Sequence, residues 1–124
     1  MESQEMKEIE KRIETKFKEN QDRIFKKANA FYKKKILPRK RNKNKSFGEI
    51  MRTLAFKPVQ KFGSFSLNFY QIFEIEINNI MGKLFLDSIV NPLKINETDE
   101  LEWYLRTRKH YTDLIILKIK KEYQ

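Results

Sequence analysis

Between Ser64 and Val90 the apolar positions follow two periods at once. From Phe65 to Ile77 the odd positions read Phe, Leu, Phe, Gln, Phe, Ile, Ile, and most even positions are polar. That is the alternation of a half-buried strand, broken at Gln71. From Phe69 onward, Phe69, Phe73, Ile77, Ile80, Met81, Leu84, Phe85 and Ile89 recur at spacings of three and four, which is one wide helical face. No Gly or Pro interrupts Phe65 to Met81, a run longer than strands ordinarily reach. The pattern therefore predicts one helix over Ser66 to Val90, about 38 Å long at 1.5 Å per residue. Ser66 is the expected cap, and Asn91-Pro92 the expected stop.

The same logic assigns the flanks. Met6, Ile9, Ile13, Phe17, Ile24, Ala28 and Phe31 form a narrow stripe, predicting an amphipathic helix over residues 1–37. Pro38 ends it, and residues 38–45 read as an exposed basic linker. Ser46 with Glu49 three residues on has the spacing of a capping box, so a short helix is expected from Ser46 to Phe56, with Phe47, Ile50, Met51 and Leu54 inward. Thr98 is the expected cap of another short helix carrying Leu101, Trp103 or Tyr104, and Leu105. A separate last segment carries Leu114, Ile115, Leu117 and Ile119. The expected fold class is all-α, with residues 46–124 as one helical domain behind an extra N-terminal helix.

Charge changes the picture at one place. The net charge is +10. Lys26 to Lys45 holds ten basic residues and no acidic one (Lys26, Lys27, Lys33, Lys34, Lys35, Arg39, Lys40, Arg41, Lys43 and Lys45), so the rest of the chain is close to neutral. A solvated charge run is the bland reading. Contact with a polyanion, or a nuclear-import address, is the sharper one. Phe31, Tyr32, Phe47 and Phe62 lie near the run, either as core residues or as platforms for bases.

Catalytic signals are sparse. There is one His, no Cys and no Gly-rich phosphate loop, so a Cys/His metal site and a thiolate nucleophile are excluded. His110, between Lys109 and Tyr111, reads as a surface residue. Glu74 and Glu76 would share a face only on a strand, and a helix separates them. The expectation is a protein that is not an enzyme and needs no cofactor. It also has no membrane-spanning run, which points to an intracellular location, nuclear in a eukaryote.

The order of elements resembles the histone fold, most nearly the B-type core histone. A basic tail, RKRNKNK, precedes SFGEIMRTL. Gly63 and Ser66 stand where that family has a loop glycine and the serine that opens its central helix. Asn78-Asn79-Ile80-Met81 matches its mid-helix Asn-acid-Ile-Phe run, and Ile95 to Arg106 its second-loop Ile-Thr and third helix. His110 to Gln124 would be the extra C-terminal helix. The second loop, Lys94-Ile95-Asn96-Glu97-Thr98, lacks the family's Arg-Thr pair, and Glu74 and Glu76 depart from its central helix. The resemblance implies a dimer, with itself or another helical protein, that binds double-stranded DNA. Lys57, Lys61 and Lys94 in the loops would join Lys33, Lys34, Lys35, Arg39, Lys40, Arg41, Lys43 and Lys45 on the phosphates. Two other readings stay open: an interaction subunit whose basic run is a localisation signal, and an α+β binder of single strands or RNA built on a hairpin from Phe65 to Val90.

Overall fold

The computed structural model describes residues 4–55, 67–91 and 94–124. They form an all-α fold around three long helices. Helix α1 is Gln4–Phe31, α2 Phe47–Arg52, α3 Phe69–Met81, α4 Asp87–Ile89 and α5 Thr98–Glu122. The strand reading of Phe65 to Ile77 is wrong from Phe69 onward, and among the described residues the only β pairing is the single bridge of Leu54 with Asn68. The hairpin from Phe65 to Val90 on which the α+β reading rests is therefore not formed, since Phe69 to Ile89 is helical.

Gln71, the residue that breaks the strand alternation, is the one that starts the helix. The Asn68 side chain accepts from the Gln71 backbone N–H at 2.9 Å, and the Gln71 side chain accepts from the Asn68 N–H at 2.9 Å. This reciprocal box satisfies two donors that a helix start leaves orphaned. The expected cap Ser66 lies outside the described residues; the helix opens at Phe69. It then runs on through a π-helical stretch, Gly82–Leu86, into α4. The other cap at Ser46 holds as read: its hydroxyl accepts from Glu49 N at 3.3 Å and donates to the Glu49 carboxylate at 3.0 Å. Helix α2 is shorter than expected and ends at Arg52.

Two further expectations are corrected. The short helix near Trp103 and the C-terminal segment are one continuous helix of 25 residues, because nothing between Leu105 and Leu114 breaks it. Its cap position is Glu97 rather than Thr98, with Asp99 and Glu100 in the first turn, where the helix dipole favours acids.

Contacts fix the helix directions. Glu10 meets Trp103, Phe17 meets Tyr111, Asp22 meets Lys118 and Asn29 meets Tyr123. The offset is nearly constant, so α1 and α5 run parallel along their whole length. Tyr70 pairs with Asp113 and Glu74 with Lys109, so α3 is antiparallel to α5. Phe73, Ile77 and Met81 of α3, Ile13, Ile24 and Ile36 of the first helix, and Ile115 and Ile119 of α5 share one core. The first helix thus packs on the apolar face of α3. Ile75 stays half exposed. Among the described residues, no helix is long and apolar enough to cross a membrane.

Candidate nucleic-acid interface

The first helix does not stop cleanly at Pro38. Its buried positions Ile24, Ala28, Tyr32 and Ile36 are spaced by four. On an α-helix each four-residue step turns the stripe by roughly 40°. A wider turn corrects the drift: Tyr32–Ile36 is π-helical, closed by Leu37 N–H donating to Tyr32 O at 2.8 Å. Tyr32 and Ile36 are anchored in the core, while Lys33, Lys34 and Lys35 between them all point to solvent.

Residues 38–45 are cationic and exposed but folded onto the bundle, not a free linker. Asn42 is buried and its amide donates to Ile36 O at 2.6 Å, which folds a 3-10 turn, Lys40–Asn42, back under the helix end. Its Oδ1 has no partner among the described residues. Asn44 takes a left-handed conformation, φ 64°, which Asn tolerates better than most residues. Arg41 turns inward and donates to the carbonyls of Leu54 and Ala55, both at 2.8 Å. Lys45 Nζ reaches Thr53 Oγ1 at 3.2 Å. Among the described residues, the side chains of Lys40 and Lys43 are exposed without a hydrogen-bond partner, and that of Arg39 bonds only back to Lys35 O at 3.2 Å. Among the described residues, no ion pair involves any of the ten cations from Lys26 to Lys45.

The topology adds charge that sequence order hides. Because α5 is parallel to α1, its last turn lies beside the π turn: the Tyr123 ring packs tilted against Tyr32 at 4.7 Å and its hydroxyl donates to Asn29 Oδ1 at 2.6 Å. Lys120 and Lys121, exposed on that turn, join the basic end. Lys118 is committed to Asp22 at 3.7 Å and to the Phe25 ring.

Not every expected contact converges here. Lys94 is exposed just before α5, at the opposite end of the bundle, beside Asp87 and Glu100. Lys57 and Lys61 lie outside the described residues. The ends of their segment are tied together at the basic end, with Ala55 N–H donating to Leu67 O at 2.8 Å. The candidate stacking aromatics are spent on packing: Tyr32 contacts Phe47 and Phe73, and Phe31 faces Phe73. Phe62 is outside the described residues. Glu74 and Glu76 sit on one helix, and Glu74 pairs with Lys109 at 3.4 Å. Among the described residues, no cluster of three or more His, Asp or Glu could hold a metal ion. No protein family, no curated protein and no solved structure matches this chain.

Proposed function

We propose that the protein binds double-stranded DNA without sequence preference, through the basic end of the bundle. The observation behind this reading is one end of the bundle, where exposed cations gather: Lys33, Lys34 and Lys35 on an ordered π turn, then Arg39, Lys40 and Lys43, with Lys120 and Lys121 on the adjoining turn of α5. A flexible tail pays ordering entropy when it binds, whereas cations on a folded turn are already placed. Each Lys or Arg that meets a phosphate displaces condensed counterions, and that term carries no base information. Arg41 is a scaffold for this surface instead of a contact, and Lys94 lies away from it. A histone-type pairing of two chains is compatible with this reading but not needed by it.

The test is the salt dependence of duplex binding. If about 6 phosphates are neutralised, log affinity falls against log salt with a slope near −5. Changing Arg39, Lys40 and Lys43 to Gln should flatten that slope by up to about 3 units and weaken unrelated duplexes equally. A shallow slope in the parent protein removes DNA binding. In that case the interaction-subunit reading stands, in which the same substitutions alter only location in a cell.

A further inference from the structure

A second site lies on the side of the bundle, in the groove between the N-terminal half of α1 and the N-terminal half of α5. It is a cleft of about 520 Å³. That volume is within the range of pockets that hold small organic ligands. One wall is Trp103, whose indole N–H donates to Glu10 Oε1 at 2.7 Å. The bond fixes the ring. Trp103 also borders a neighbouring cleft of about 520 Å³ that includes Ile9, Val90 and Ile95. The indole is therefore only partly buried against the core and borders two clefts, unlike a core aromatic packed on all sides. Tyr111, anchored at 4.5 Å on Phe17, and His110, edge-on to it at 4.9 Å, line the first cleft.

Its charges are unequally occupied. Glu10 accepts from the indole, and Glu14 is paired with Lys18 at 3.1 Å. The cations of the lining are Lys7, Lys11 and Arg106. Among the described residues, none of the three has a side-chain hydrogen bond or ion pair. A fixed aromatic plate, free volume beside it and three uncommitted cations match a flat ring that carries an anion. We propose that this cleft binds a nucleotide unit, its base against Trp103 and its phosphate toward Lys7, Lys11 and Arg106. Stacking supplies sequence-tolerant contact area and the cations select the phosphorylated form. The cleft lies roughly 20 Å along α5 from Lys120, so it is separate from the basic end and does not depend on it.

The chain has one Trp, so its fluorescence reports binding beside this indole, and substitutions at Lys7 and Arg106, which line only the first cleft, assign the signal to it. The probes are adenosine monophosphate, adenosine, inorganic phosphate and a short single-stranded oligoadenylate, each titrated into the full chain. Adenosine monophosphate should quench saturably, adenosine should bind about tenfold more weakly or worse, and inorganic phosphate should leave the signal unchanged. Lys7→Gln and Arg106→Gln should each raise the apparent Kd by about tenfold. Changing Arg39, Lys40 and Lys43 to Gln should leave that Kd where it is, so failure here and failure of duplex binding are distinguishable. Tighter binding of the oligoadenylate than of the monophosphate, measured in that triple variant, identifies a strand as the source of the nucleotide. The reverse order identifies a free nucleotide. The proposal is overturned if nothing quenches saturably, if adenosine and its monophosphate bind alike, or if Lys7→Gln and Arg106→Gln, helical by circular dichroism, bind as the parent does.

Discussion

Arg41 and Lys40 are neighbours of equal charge with different work. The Arg41 guanidinium bridges two carbonyls, Leu54 O and Ala55 O, at the point where the chain leaves α2 and is paired with Leu67 and Asn68. Lys40 touches solvent. Hydrogen bonds from a charged donor stabilise by roughly 1.5–3 kcal/mol, less where water competes, and Arg41 is exposed over much of its length. Arg41→Gln should therefore destabilise the fold by about 1–2 kcal/mol in urea unfolding, whereas Lys40→Gln should change stability by less than about 0.5 kcal/mol. Equal, small effects would show that the Arg41 bonds add nothing and would return Arg41 to the pool of phosphate contacts. Asn42 is the other residue on which the turn depends. Its side-chain amide, donating to Ile36 O, ties the basic segment to the helix end, while its buried Oδ1 has no partner among the described residues.

Helix starts were legible wherever a side chain writes a fixed spacing. Ser46 and Glu49 gave α2, and Asn68 and Gln71 held the same information for α3, masked by an alternation that made Gln71 look like a flaw in a strand. The continuity of α5 was also written, as the lack of any breaker; the polar stretch from Arg106 to His110 between its two apolar groups hides it. The π turns were not legible, because a stripe of four-residue steps can be met either by a drifting helix face or by a wider turn, and packing decides. Gly82 opens the second π stretch with ordinary helical angles, φ −57° and ψ −50°. A Cβ there would lie 2.9 Å from Asp87 Oδ2, and the nearest contacts are all with that exposed carboxylate. The Asp87 side chain can rotate away into water. Gly82→Ala should then recover part of the helix-propensity gain, raising stability by up to about 1 kcal/mol. A loss of more than about 1 kcal/mol on thermal unfolding would mean that the carboxylate is held against the π stretch and that its position matters to it.

At the scale of the molecule, the charge run was visible in the sequence but its full extent was not. Lys120 and Lys121 reach it only because α1 and α5 run parallel, and Lys94 is carried away by the same arrangement. The groove lined by Trp103 and Arg106 likewise needs two segments about a hundred residues apart in sequence, joined by the Trp103–Glu10 contact. The bundle also places every tyrosine of the chain where its charged form is disfavoured. Burial pushes Tyr32 up to about 12, reinforced by Tyr123. Burial likewise raises Tyr70 (helped by Asp113), Tyr111 (helped by Glu14 and Glu10) and Tyr123 (helped by Glu122). It raises Tyr104 against the opposing pull of Arg108. Lys109 is raised to about 12 as well: burial opposes its charge, but Tyr70, Glu74 and Asp113 outweigh it. The sign is the same for all six groups. The folded state binds protons more tightly than the unfolded state, so their stabilisation is complete below about pH 10 and is lost as the pH rises toward 12. Tyrosinate absorbance should therefore appear in a steep step coincident with loss of helicity between about pH 10 and 12. Tyr32→Phe keeps the ring contacts with Phe47 and Phe73 while removing the proton. It should move the alkaline midpoint upward and leave neutral-pH stability within about 1 kcal/mol of the parent. Tyrosines that ionise gradually near pH 10 with the helices intact would show that the phenols are hydrated in the folded protein, and the burial that unites the three long helices would be looser than described.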